Sequence, residues 1–232
     1  WEVLNSKVGW VDLGGAYVGR SQNHLLRLIK EFNLKMYPVN EAQKLVYYDD
    51  CAGVRRLFNY DQTPNLGFLS LLDLNHVLRL IDQMGEQIPA DEPWNAPKAE
   101  EWDKMTFKEF VHANTITRAA REFMRLFITL LVTNESYQSS LLWFLWYVKQ
   151  CGGTKPIFST TNGGQEFKVL GGTNQITERL AERVGKERVL LEHPVHYIEQ
   201  SEQLVVVKTL NGKEFKCKYL VMATPPAVQQ KI

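Results

Sequence analysis

The chain of 232 residues carries 27 Lys plus Arg against 26 Asp plus Glu, a net charge of +1, and 44% of it is hydrophobic. Such a composition can build a substantial core. Its near-neutral balance supplies no field to recruit nucleic acid or an anionic membrane, which argues against both classes of partner.

Residues 1 to 20 read as short strands leading into a glycine turn, where Gly14 and Gly15 followed by Ala16 let backbone pass close to something bulky or simply turn the chain. Ser21 is placed to cap an amphipathic helix through about Asn33, with Leu25, Leu28, Ile29 and Phe32 on one face. Two β-rich runs follow, Lys35 to Val39 and Lys44 to Tyr48, then a polar connection through Asp61. A second helix is expected from Leu66 to Met84, stopped by Gly85. Three prolines between Pro89 and Pro97 predict an extended connection that Trp94 could anchor to the core.

Thr106 and Glu109 form a capping box for a helix through His112. Then comes the most apolar stretch of the chain. Phe123, Leu126, Phe127, Leu130 and Leu131 recur at helical spacing. Leu141 to Val148 is apolar on nearly every face, which predicts burial in protein because eight residues are far short of the roughly 20 a membrane span needs. Cys151-Gly152-Gly153 predicts a helix stop, and Ser159 to Glu166 an irregular loop of the kind that lines ligand cavities.

Beyond it the pattern alternates β and α. Thr173 is expected to cap a helix from about Gln175 to Val184. Strands are expected at Arg188 to Leu191, Pro194 to Ile198, Gln203 to Thr209, Phe215 to Cys217 and, buried, Tyr219 to Met222, with a two-residue hairpin turn at Asn211-Gly212. The fold class is therefore mixed α/β, a helical block between two α/β pieces. Cys51, Cys151 and Cys217 are odd in number and widely spaced, against a disulfide framework. Neither they nor His24, His76, His112, His193 and His196 show a metal-ligand spacing.

The wording LWFLWYVKQCGGT, then STTNGGQE, with Asp12-Leu13-Gly14-Gly15-Ala16-Tyr17-Val18-Gly19 near the start, resembles the flavin-containing monoamine oxidases. The resemblance covers nearly the whole chain and implies an internal piece of a two-domain, FAD-dependent amine oxidase. On that pattern residues 1–37 and 170–232 are flavin-domain segments, and 38–169 belong to the substrate domain. It implies FAD contacts at Gly14, Gly15, Ala16, Tyr17, Val195, Ala223 and Thr224. It also implies an amine cavity walled by Leu126, Phe127, Leu130, Leu131, Ile157, Phe158 and Gln165. Spacing alone would make most of the latter ordinary core residues.

The implied reaction is oxidation of a primary amine with oxygen as acceptor, in a parent held on the mitochondrial outer membrane by a C-terminal helix outside these residues, with a homodimer left open. The dinucleotide fingerprint and the residues that act on the flavin in this family also fall outside them, so no catalytic residue is assigned, and the piece by itself is expected to be inactive. Leu78 and Leu131 depart from the resembled pattern, an entrance tryptophan and a cysteine or asparagine respectively. A polyamine or L-amino acid oxidase, or a non-catalytic helical interaction domain in which Trp143, Phe144, Trp146 and Tyr147 form a core or partner surface, stays open on the residues alone.

Overall fold

The computed structural model describes residues 2–5, 9–49, 52–60 and 62–232, with the backbone alone for 2–5. The expectations that touch Trp1, Cys51 and Asp61 lie outside the described residues. The chain divides into two compact units, Trp1–Ile176 and Thr177–Ile232, with the boundary inside one helix.

The first unit is built on three helices, α2 (Phe68–Glu86), α5 (Arg118–Val132) and α6 (Leu141–Gln150), braced by α3 (Ala99–Lys104), α4 (Phe107–Asn114) and α7 (Thr154–Phe158); the amphipathic α1 (Asn23–Glu31) precedes them. Leu74, Val77 and Ile81 of α2, Met124 and Ile128 of α5, and Leu141, Phe144, Leu145 and Val148 of α6 are almost completely buried in one cluster. Local chemistry sets the helix starts. Thr106 and Glu109 make the reciprocal capping box expected of them, Thr117 accepts from the Ala120 N–H, and Ser140 accepts from the Trp143 N–H. At the far end of α6, Gly152 and Gly153 take φ of +85° and +102° and turn the chain into α7.

Among the described residues four small antiparallel sheets accompany the helices. β1 (Glu2–Asn5) pairs with β2 (Gly9–Asp12), and β5 (Leu45–Asp49) with β6 (Val54–Phe58). β7 (Phe167–Val169) lies between β3 (Tyr17–Val18) and β4 (Met36–Pro38). The second unit holds the meander β8 (Val195–Gln200), β9 (Val205–Thr209) and β10 (Glu214–Cys217), preceded by most of α8 (Asn174–Val184) and followed by α9 (Pro226–Gln229).

Several expectations are corrected. Gly85 does not stop α2 but lies inside it, one residue before its end, buried with room for a Cβ at ordinary contact distance, 3.5 Å, from the Leu145 carbonyl oxygen. Gln22, not Ser21, precedes α1, and no side chain caps it. Trp94 is 67% exposed; Trp102 of the unforeseen α3 is the buried indole. α6 is not buried all round, since Trp143 is 40% exposed and stacks on Tyr147, while Trp146 Nε1 donates to the Ala90 carbonyl at 2.7 Å.

In the second unit, the strand expected from Arg188 to Leu191 does not form: Arg188 ends a 3-10 turn, Lys186–Arg188, and residues 189–191 are irregular. The hairpin at Asn211-Gly212 has three loop residues, because the Thr209 N–H bonds the Lys213 carbonyl and only Gly212 of the pair has positive φ. Tyr219 to Met222 is neither buried nor a strand; Tyr219 and Val221 are 89% and 88% exposed.

Candidate functional site

All seven residues that the resemblance assigns to a cavity wall line one cleft in the first unit, with a volume of about 390 Å³. α5 contributes Leu126, Phe127, Leu130 and Leu131 from one face. α7 contributes Ile157 and Phe158, and the loop after it Gln165. The Gly152-Gly153 turn and the Asp82 carboxylate aim α7: Asp82 Oδ1 accepts from the Thr154 N–H at 2.8 Å and Oδ2 from its hydroxyl at 2.7 Å. The floor is aromatic. Phe127 stacks on Phe158 with centroids 4.3 Å apart, and Phe123 stacks on Phe158 at 6.1 Å. Phe127 is buried, whereas Leu130 and Gln165 stand exposed at the mouth.

The opposite wall was not read from the sequence. The β5–β6 hairpin brings Leu45, Tyr47 and Phe58 to the cleft, and Tyr60 and Gln62 follow them. Tyr47 is buried with its ring 6.2 Å from Phe123. The signal was there in two places: the i, i+2 alternation of Leu45 with Tyr47 and of Phe58 with Tyr60, and Phe123, one helical turn before Phe127. Leu78 packs against the helical core. Among the described residues the lining carries no charged side chain; its polar groups are Tyr47, Tyr60, Gln62, Thr160 and Gln165.

The glycine edge lies in the same unit. At Gly14 and Gly15 a Cβ would meet nothing within 4 Å, so the backbone there is open on one side. On the other side it is held: the Thr173 hydroxyl lies 2.6 Å from the Gly15 carbonyl oxygen, and the Thr173 N–H donates to Asp12 Oδ1 at 2.9 Å. A fixed, side-chain-free backbone with an open face fits the approach of a broad planar group. Ala16 and the exposed Tyr17 lead from it into β3, whose partner β7 begins two residues after Gln165 (Tyr17↔Lys168, Val18↔Phe167). Glycine edge and cleft loop thus meet along one short antiparallel ladder.

The remaining candidates belong to the second unit. Val195 opens β8 at a register shift, and Ala223 and Thr224 lie on an exposed segment in which the Thr224 carbonyl accepts from Gln229 Nε2 at 2.6 Å. Burial pushes the Cys151 thiol up, with the Tyr147 hydrogen bond opposing it, so it is not a ready thiolate. Among the described residues no group of three or more His, Cys, Asp or Glu side chains could hold a metal ion.

An uncharged, aromatic-floored cleft joined by a short sheet to an open glycine edge offers room for a small apolar molecule beside a broad planar group. Residues 5–232 match the family described as flavin containing amine oxidoreductase, and the chain belongs to that family. It is 50% identical over 232 residues to amine oxidase (flavin-containing) A of Equus caballus and 48% identical to the B enzyme of Homo sapiens, in each case over 100% of this chain and 44% of the relative. Among solved structures it superposes on the cyclohexylamine oxidase from Brevibacterium oxydans IH-35A with a TM-score of 0.91 and 26% identity, covering 100% of this chain and 51% of that one. The chain therefore spans about half the length of the relatives it matches.

Proposed function

We propose that the full-length protein is an FAD-dependent monoamine oxidase acting on primary aryl and alkyl amines, and that this chain supplies half of its substrate cavity together with flavin-facing backbone. The observation that carries the reading is the uncharged lining of the cleft. A second ammonium, as in a polyamine, would need a carboxylate there, and the carboxylate of an amino acid would need a cation; the described wall offers neither.

Gly14, Gly15, Ala16 and Tyr17 would hold the flavin ring side, with Val195, Ala223 and Thr224 toward the dinucleotide. When bound, FAD supplies the acceptor for a hydride equivalent from the amine α-carbon; the imine product is hydrolysed to aldehyde and ammonia, and oxygen takes up two electrons and two protons to give hydrogen peroxide. The apolar cleft favours the neutral amine, whose nitrogen keeps its lone pair, over the ammonium ion. Phe127, Phe158, Leu130 and Leu131 hold the aryl or alkyl body and exclude water, Leu126 and Ile157 complete that wall, and Gln165 orients the amine by hydrogen bonding. Residues 1–37 and 170–232 are assigned to the flavin domain and 38–169 to the substrate domain.

Among the described residues no helix is long and apolar enough to cross a membrane, so placement of the parent on the mitochondrial outer membrane rests on its family, as does a homodimeric parent. The test is a peroxide assay on the full-length protein with benzylamine, tyramine, spermine and L-amino acids, alongside its visible spectrum. Turnover of aryl amines with yellow flavin bands is expected. Preference for spermine or an amino acid would replace the substrate assignment, and a colourless protein would point to a non-catalytic helical domain.

A further inference from the structure

We propose that the ion pair between Arg20 and Glu166 is a positioning device for Gln165, locking the cleft loop onto the glycine edge. The inference rests on the amine-oxidase reading above and extends it to two residues outside the cleft lining.

Arg20 Nε donates to Glu166 Oε2 and Nη2 to Oε1, both at 2.7 Å, across 146 residues of sequence. The side chains are unequally exposed, 62% for Arg20 and 10% for Glu166, so the carboxylate is the sheltered partner and the guanidinium closes over it. The guanidinium also lies 5.3 Å from the centroid of the Phe167 ring. Forked pairing of this kind fixes direction as well as distance.

The lock sits where the backbone ladder runs out. β3 and β7 share two rungs, Tyr17↔Lys168 and Val18↔Phe167, and a pairing so short is weak by itself. One residue beyond, the strands are replaced by a close approach: a Cβ on Gly19 would stand 2.9 Å from the Gly163 carbonyl oxygen and from the Gly164 Cα. The Asn162 N–H donates to the Glu166 carboxylate, so one acidic group gathers the end of β3 through Arg20 and the bend of the loop through Asn162. Gln165 stands between Asn162 and Glu166. It is exposed, and its place on the cleft is set by the backbone on either side of it. Arg20 touches neither cleft nor glycine edge in this scheme; it acts through Glu166.

The test uses the full-length protein with Arg20→Met, Arg20→Lys, Arg20→Glu, the exchange R20E/E166R, and Arg27→Met as a control that removes an exposed pair with Glu31 on α1. Arg20→Met is expected to raise KM for an aryl amine about tenfold with kcat within about twofold, because binding common to ground and transition states is lost. The flavin absorbance should not change, and amide exchange over residues 161–166 should accelerate. Arg20→Lys should recover part of the effect, since a point charge replaces the fork, and the exchanged pair should recover more than Arg20→Glu alone. Arg27→Met should match the parent.

Unaltered exchange over 161–166 in Arg20→Met overturns the lock, whether or not any amine is turned over. A KM within about twofold of the parent overturns the link to Gln165. A parent protein inert toward every amine would instead overturn the reading on which Gln165's role depends, a failure that exchange data alone would not produce.

Discussion

Phe127 of α5 and Phe158 at the end of α7 lie face to face, with ring planes 14° from parallel and centroids 4.3 Å apart. The contact joins a helix of the buried core to a short helix that follows a glycine turn, so the cleft floor is carried by both elements. Phe123 also lies near-parallel to Phe158, with ring planes 20° apart and centroids at 6.1 Å.

Replacing Phe158 by Ala is expected to deepen the cleft without dismantling the core. Because Phe158 is only half-buried, the cost should fall below that of a fully buried ring, about 2 kcal/mol by urea unfolding. The ratio of kcat/KM for a bulky arylalkylamine to that for benzylamine should rise about tenfold in the full-length protein. An unchanged ratio would show that Phe158 does not meet the substrate.

Asp73 of α2 braces the start of α5. Its Oδ2 accepts from the Thr117 N–H at 2.6 Å, the Thr117 hydroxyl at 2.7 Å and the Ile116 N–H at 3.0 Å. Burial works to raise this carboxyl, but those donors and the nearby Arg121 charge outweigh it and leave it below the ordinary carboxylate value. A depressed folded-state value means that the stabilisation is complete above the unfolded value and is lost as pH falls through the folded one. Asp73→Asn should therefore cost about 1 kcal/mol at neutral pH, allowing for solvent screening. The gap to the parent should close on the acid side, below the ordinary carboxylate range. Urea midpoints from neutral to acid pH check this; a gap that persists unchanged at low pH would remove the ionised Asp73 from the account.

The parts of the fold that were legible are those written within one turn of chain. The capping box of Thr106 and Glu109, the stripe of α5, and the apolar run of α6 with its glycine stop depend on neighbours in sequence, and each forms where the spacing puts it. What was misread depends on contacts far away. Gly85 carries a helix-stop residue's identity, yet α2 runs on through Glu86 and buries Gly85 close to Leu145, sixty residues on. The hairpin wall of the cleft needed β6 to be paired with β5 and both to be folded across α5, none of which Val54 to Phe58 states locally. The apolar run Tyr219 to Met222 shows the converse, since apolar character predicts a buried strand only where a partner covers it.

At Gly163 a Cβ would lie 1.5 Å from the Ser159 carbonyl oxygen and 2.8 Å from that of Pro156, both backbone atoms that cannot rotate away. Gly163→Ala is therefore expected to displace the whole loop of residues 159–166 while the helical core keeps its packing. The measurements are near-native far-UV circular dichroism, faster amide exchange confined to that loop, and a KM for aryl amines raised about tenfold or more. Exchange that also accelerates across α5 and α6 would show that the loop supports the core, contrary to the arrangement described.

The last prediction concerns how α7 is held. Its five residues are too few to form a stable helix by themselves, and no side chain of its own caps the first turn. Asp82 reaches across from α2 and takes both the N–H and the hydroxyl of Thr154, doing from another helix what an N-cap residue does from its own. Gly153 leaves little room for anything else, since a Cβ there would stand 3.3 Å from Asp82 Oδ1. Asp82→Ala should cost about 1 to 2 kcal/mol in urea unfolding. Because Ile157 and Phe158 ride on α7, it should also weaken amine binding. Asp82→Asn keeps an oxygen that can accept from the Thr154 N–H and should recover most of the stability. If the alanine variant lost stability but bound aryl amines as tightly as the parent, the placement of α7 in the cleft wall would not govern recognition.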